Sequence, residues 1–288
     1  MNKKHCSLLT ISILFACNAH SAGFQVAEHS ASGLGRAFSG EGAVADNASV
    51  LARNPAAMTL FKEAQFSGAL SIVDPEVNVY DTLHKEQSDD VAPLQVVPAG
   101  YYISQSMTTG LGVSVCSPLT VLQQIIQMIF LRVIWLATPR YFRSTSTQTL
   151  LTASTKKFSV GGGINLVYAE AELTRHKGAL APLFGSGSSK SDNLIGMEGE
   201  TFAWGWNVGA LFELNENNRF GFGYRSKVDL DFDDGEFSSY DSGIATAAKV
   251  DGRLKISLPS IIELSAFHQL NDQWAIHYGW QQTDWSTF

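Results

Sequence analysis

Cysteine is scarce, with three in 288 residues. Cys6 and Cys17 lie close to the amino terminus and Cys116 stands alone, so there is no disulfide framework and no metal-type cysteine pair. Charge is scarce as well. Asp, Glu, Lys and Arg make up 16% of the chain, and the net charge is -7 with a pI of about 5.5. That balance excludes wholesale attraction to nucleic acid or anionic lipid. Catalytic and metal-binding patterns are missing too. His29, His176 and His268 stand singly without metal spacing. Serines and histidines form no hydrolase motif, so neither an enzyme nor a cofactor is expected. Gly33 and Gly35 follow no strand and precede no Lys-Ser/Thr pair, which removes a phosphate loop. Mean hydropathy is close to zero, too low for a bundle of transmembrane helices. It is not too low for a transmembrane barrel, whose strands alternate apolar and polar residues. With 45% hydrophobic residues the chain is not disordered.

The first 21 residues read as a signal peptide. Lys3 and Lys4 form a positive start, Leu8 to Ala16 is an apolar run too short to span a bilayer, and Ala19-His20-Ser21 offers small residues at a cleavage site. A lipoprotein signal, Leu14-Phe15-Ala16-Cys17 with Cys17 acylated, is the rival reading, and bulky Phe15 fits it poorly.

What the chain has in quantity is period-two alternation. Phe202, Trp204, Trp206, Val208, Ala210, Phe212 and Leu214 fall on one face, opposite Thr201, Ala203, Gly205, Asn207 and Gly209. After Asn215 to Asn218 the pattern resumes with Phe220, Phe222, Tyr224, Val228, Leu230 and Phe232. Opposite these stand Arg219, Gly221, Gly223, Arg225, Lys227, Asp229 and Asp231. Further strands are expected at about 65–79, 95–105, 109–116, 157–174, 253–268 and 274–288. Tight turns at Asn215 to Asn218 and Asn271-Asp272 contrast with long polar connections at about 175–200 and 234–252. Tight turns at one end and long loops at the other, with Trp204, Trp206, Trp274, Trp280 and Trp285 for aromatic girdles, match an all-β transmembrane antiparallel barrel. The competing fold is a secreted β-sandwich, for which the strands are long. Residues 22–63 do not alternate. They are rich in small residues, with short helical pieces from Ala45 to Leu60 broken at Pro55, and they read as a hatch ahead of a barrel over 64–288.

Several blocks in order resemble the FadL family of outer-membrane long-chain fatty acid transporters. They are Ala22-Gly23-Phe24-Gln25, Ser32 to Ala37, Arg53-Asn54-Pro55-Ala56, Asn165 to Ala169, Trp204 to Gly209 and Trp274 to Tyr278. The resemblance covers about 22–115 and 156–288. It implies a fourteen-stranded barrel closed by the hatch, with ligand captured outside, passed to an interior pocket and released sideways at a kinked third strand. The implied partners are a long-chain fatty acid or other hydrophobic small molecule and outer-membrane lipid, with the protein a monomer. The implied ligand contacts are Arg175, whose guanidinium fork suits a carboxylate, and Phe24 near the pocket. Arg175 at an extracellular rim, touching lipopolysaccharide or water, is the alternative. Asn54, Pro55 and Ala56 match the hatch motif; a simple helix stop is the other reading.

Two segments depart from the family. Val121 to Leu136 is nearly all apolar, yet it holds Arg132 and three glutamines and would interrupt a barrel wall. Written CTT ACG GTT TTG CAA CAG ATT, Leu119 to Ile125 yields Tyr-Gly-Phe-Ala-Thr-Asp from its third nucleotide. Gln148 to Thr155 likewise yields a family-like string, so about 117–155 reads as translated out of frame. Trp285 to Phe288 resembles an internal segment near the family's eighth strand, so about eight strands are expected and transport is expected to be impaired. A general porin, a surface adhesin barrel and a degraded gene product remain open beside the transporter.

Overall fold

The computed structural model describes residues 29–74, 78–80, 87–88, 94–105, 109–116, 136–154, 157–189, 192–241, 244–245, 250–284 and 286. The signal peptide, Phe24, the apolar run as far as residue 135 and Trp285 lie outside these. Strands dominate. In chain order they are β1 (Gln65–Val73), β2 (Val79–Tyr80), β3 (Gln87–Ser88), β4 (Gln95–Gln105), β5 (Thr109–Cys116), β6 (Leu136–Ser154) and β7 (Phe158–His176). There follow β8 (Asn193–Asn215), β9 (Asn218–Arg225), β10 (Val228–Asp241), β11 (Ile244–Ala245), β12 (Val250–Leu258), β13 (Ser260–Gln269) and β14 (Ala275–Asp284). The main sheet is antiparallel and runs β1-β4-β5-β6-β7-β8-β9-β13-β14, with β10, β11 and β12 attached off that path. No pairing closes β1 onto β14 among the described residues.

Alternation fixes which face of the sheet is which. Phe202, Trp204, Trp206, Val208, Phe212 and Leu214 are all exposed on β8, whereas Ala203 and Leu211 between them are buried. Phe66, Leu70 and Ile72 on β1, Phe158, Val160 and Ile164 on β7, and Trp274, Ile276, Tyr278 and Trp280 near or on β14 continue the exposed apolar face. A run of exposed large apolar side chains on successive strands is stable in lipid and not in water. Among the described residues no helix is long and apolar enough to cross a membrane. At 19 and 23 residues, β7 and β8 exceed the 9–11 or so that span a bilayer, so they project beyond it. The tight turns are side-chain built. Asn215 Oδ1 accepts from Asn217 N (3.0 Å), and Asn271 Oδ1 from Gln273 N and Trp274 N (both 2.9 Å).

Three expectations change. Residues 136–154, expected to be atypical, form strand β6, laddered to β5 and β7; backbone pairing does not require alternation. The stretch 253–268 is two strands split at Pro259, which has no N–H to give a ladder. The third concerns Phe220 to Phe232. Phe220 and Phe222 are exposed outward, but Val228, Leu230 and Phe232 are buried. The faces are as the alternation requires; the surroundings differ. The chain breaks at Ser226-Lys227, and from Val228 to Phe232 β10 lies across the inner face of β8, rejoining its edge only at Glu236 opposite Glu198. A Cβ placed on Gly205 would stand 2.7 Å from Val228 Cγ2, and one on Gly199 would stand 3.6 Å from Phe232 Cβ. Side chains that would have met lipid therefore pack on Val167, Ala169, Ala171 and Ala203 of the wall. Relative to exposure to water, burying each large apolar side chain there contributes roughly 1.5–3 kcal/mol.

Candidate functional site

The N-terminal segment from residue 29 to residue 63 packs on the sheet face opposite the exposed aromatics. Its regular parts are the short helices Ala31–Gly35 and Glu41–Val44 and the 3-10 turns Ala48–Ala52 and Pro55–Leu60. Ser30 Oγ caps the first by accepting from Gly33 N (3.1 Å), and Asn47 and Asn54 cap the two 3-10 turns. Asn54 stands between two turns: its N–H donates to Val50 O (2.9 Å) at the end of one, and its side chain opens the next, with Pro55 at the first position, where no N–H is needed.

Asn54 is fully buried and joins three pieces of chain. Its Oδ1 accepts from Ala56 N (3.0 Å), while its Nδ2 donates to Gly42 O (2.8 Å) and to Ala210 O on β8 (3.0 Å). The wall is shaped to admit it. A Cβ on Gly209 would come 2.1 Å from Asn54 Oδ1, one on Gly221 2.4 Å from Gly42 O, and one on Gly223 2.3 Å from Arg53 O. Three glycines on the inner faces of β8 and β9 thus let two backbones touch.

Charge then locks the seat. Arg219 donates to the carbonyls of Ala43 and Val44 (both 2.6 Å), and Arg225 to that of Ala52 (2.7 Å). Arg53 pairs with Glu263 on β13 (3.2 Å) and donates to Gln281 on β14. Glu263 also accepts from Gly42 N (3.2 Å) and Ser265 Oγ (2.9 Å). Both members of the Arg53–Glu263 pair are nearly buried, and breaking such a pair on one side costs about 3–5 kcal/mol because the other charge stays stranded. Glu41 is buried too and pairs with Arg36 (2.6 Å). Burial pushes its carboxyl above the usual glutamate range despite the pull of Arg36.

The segment carries backbone strain at this point. Ala37, Phe38 and Ala45 have φ of 51°, 54° and 48°, a left-handed conformation that costs side chains other than glycine of order 1–3 kcal/mol each. Phe38 is held there by stacking on His29 (5.0 Å between centroids) and by Arg53 above its ring (5.2 Å).

Arg175 sits apart from this seat, near the end of β7, opposite Ala137 on β6 and Ile195 on β8. Beyond it Lys177 is fully buried. Lys177 donates to Ser188 Oγ (2.9 Å), lies 3.8 Å from Asp192 and covers the Phe184 ring (4.8 Å), which pins the long connection. Asn54, Pro55 and Ala56 are therefore brought together in the seat, and Arg175 is not. Arg53, Glu263, Arg219 and Arg225 were missed. For the two arginines of β9 the signal was present, as cations on the face opposite Phe220, Phe222 and Tyr224.

Residues 12–288 match the family described as outer membrane protein transport protein (OMPP1/FadL/TodX). The chain is 32% identical to the long-chain fatty acid transport protein of Escherichia coli K12, covering 98% of this chain and 71% of the relative. It is 34% identical to outer membrane protein P1 of Haemophilus influenzae, over 99% of this chain and 71% of the relative. Among solved structures, a Pseudomonas aeruginosa FadL homologue superposes with a TM-score of 0.65 over 93% of this chain and 71% of that one, at 16% identity. The Ralstonia pickettii toluene transporter TbuX gives 0.56 over 84% and 68%, at 15% identity. The chain belongs to the OMPP1/FadL/TodX family of outer membrane transport proteins, non-enzymatic channels of Gram-negative bacteria for hydrophobic compounds.

Proposed function

We propose that this chain serves uptake of long-chain fatty acids, with residues 22–63 as a hatch whose movement admits the ligand. The observation that carries the reading is the seat itself. A segment held by Asn54 and Arg53, and by Arg219 and Arg225 through carbonyls, lies against a glycine-lined wall whose other face is apolar. Such a seat is rigid when closed, yet it rests on a few polar contacts that can be exchanged for water. The fatty acid's chain supplies apolar area, and its carboxylate needs a cation. Arg175 is proposed for that role, because a guanidinium can take both oxygens in one plane. Phe24 is proposed to line the pocket.

Purified chain, refolded in detergent, should bind labelled oleate saturably. Arg175→Ala should weaken binding by roughly 1–3 kcal/mol, the scale of a charge-assisted hydrogen bond, and Arg175→Lys should recover part of it. Saturable toluene binding without oleate binding would overturn the fatty acid reading. Unchanged oleate affinity in a folded Arg175→Ala protein would remove Arg175 from the site.

A further inference from the structure

Arg219 stands out among the cations that grip the N-terminal segment. Arg36 has Glu41 and Asp46 as partners, and Arg53 has Glu263. Arg219 forms no ion pair among the described residues. Its Nε and Nη2 donate to Ala43 O and Val44 O, and its guanidinium lies over the Phe267 ring (4.4 Å). Glu213 stands opposite it on β8 and acts on it only at a distance. Glu213, Arg219, Phe267 on β13 and His277 on β14 make one row across the inner face of the sheet. The stretch Ser39 to Val44 lies over that row. Ser39 Oγ donates to His277 O (2.9 Å), Gly40 packs on His277, and the far end is held by Arg219.

The Nε–H and Nη2–H groups share one edge of the guanidinium plane, the edge that takes both oxygens of a carboxylate. Here that edge is filled by two neutral carbonyl oxygens, each 2.6 Å away. A carboxylate would make the same two bonds and add a full negative charge to them. The two carbonyls belong to the end of the helix Glu41–Val44, and Ala45 just beyond is held at a φ of 48°. Letting the carbonyls go allows that strain to relax. Arg219 is half-buried and follows directly on the tight turn Asn215 to Asn218, at the end of the sheet. Such an exchange leaves the bonds of Arg53 to Glu263 and of Asn54 to Ala210 untouched, so only Ser39 to Val44 is freed.

We propose that Arg219 is an anion-exchange site: a carboxylate takes its Nε and Nη2 from Ala43 O and Val44 O and thereby unseats Ser39 to Val44. The inference deepens the uptake reading and rests on it for the carboxylate, which it uses at the seat, apart from Arg175. Plain capping of a helix end by a cation is the alternative, and it entails no response to an anion. The test uses refolded chain with Val44→Cys as its one thiol, the native cysteines being replaced by serine, and follows the rate of maleimide labelling. Octanoate should accelerate labelling saturably, and 1-octanol at equal concentration should not. Arg219→Lys keeps the charge and loses the fork, so the half-effective octanoate concentration should rise about tenfold, the value of one charge-assisted bond. Glu213→Gln removes a like charge opposite the anion, so that concentration should fall about two- to fivefold. Arg219→Gln should label at one rate whatever the octanoate concentration. Acceleration by octanol equal to that by octanoate, or an octanoate response unchanged in all three variants, would overturn the proposal. Oleate binding measured on the same preparations separates the two ideas. Oleate bound without octanoate-dependent labelling sinks the exchange alone, and an Arg219-dependent octanoate response without oleate binding sinks the fatty acid reading alone.

Discussion

At the scale of single residues, the seat of the N-terminal segment depends as much on missing atoms as on present ones. Gly221 is buried on β9, and its absent Cβ is what allows Gly42 O to approach. Gly221→Val would force a branched side chain into a space 2.4 Å from that carbonyl oxygen, with Gly42 C at 2.9 Å and Asn54 Nδ2 at 3.1 Å behind it. Backbone cannot give way as a flexible side chain can, so unseating should be favoured by about 1–3 kcal/mol, the usual cost of overpacking. Trypsin cleavage at Arg36 and Arg53, slow in the parent, should accelerate. Gly35→Ala is the control, since nothing lies within 4 Å of a Cβ there. Equal cleavage of the Gly221→Val and Gly35→Ala proteins would show that the segment is not seated through this contact.

At the scale of elements, the instructive strand is β8, because it is the same strand with two different neighbours along one edge. The bonds of Trp206 N and O to Ser226 show that even-numbered residues of β8 direct their backbone groups toward β9 and β10. Amides of Val208, Ala210 and Phe212 therefore lie in the ladder with β9, whereas those of Glu200, Phe202 and Trp204 fall between that ladder and the one with β10, which begins at Glu198. Hydrogen exchange in detergent should be faster at Glu200, Phe202 and Trp204 than at Val208, Ala210 and Phe212. Odd-numbered Thr201 and Ala203, paired with β7, should stay protected. Uniform protection along β8 would mean that this stretch of its edge is paired after all. This element also shows what was legible in the sequence. Alternation from Phe202 to Leu214 told which face is apolar, and β8 obeys it. The same alternation runs unbroken from Phe220 to Phe232 through the break at Ser226, because periodicity reports a side chain's face and not what lies opposite that face. Pro259 was the available sign of the bend, being a residue that cannot sit quietly in mid-strand. Arg53 pairing with Glu263 had no such sign. The two are brought together only by the return of the N-terminal segment onto a late strand, and a single sequence carries no trace of that distance.

At the scale of the whole molecule, segment and sheet are joined by a polar interface that contains a buried acid, so their docking should respond to pH. Glu41 faces Arg36, with Arg53 and Asp46 near enough to act on it, and Gly33 closes in beside its carboxylate. Burial outweighs the pull of Arg36, so its pKa in the folded protein stands above its ordinary value of 4.5. The sign follows from that order. Folding takes up a proton at Glu41 over the interval between the two values, so its contribution is complete below the ordinary value and is lost as pH rises through the raised one. For this group, then, the docked state is favoured by mild acid and least favoured at neutral pH and above. Other carboxylates at the interface titrate as well, and comparison with Glu41→Gln isolates the one of interest, since the amide keeps the shape and cannot ionise. Protection of Arg36 and Arg53 from a protease active over the whole range should increase from pH 7.5 to pH 5 more steeply in the parent than in Glu41→Gln. At pH 7.5 the Glu41→Gln segment should be the better protected of the two, because the cost of holding a buried charge is gone while Arg36 keeps Asp46. Parallel pH profiles, or a Glu41→Gln segment that is looser at pH 7.5, would show that the Arg36–Glu41 ion pair stabilises the closed state by more than burial of the charge costs.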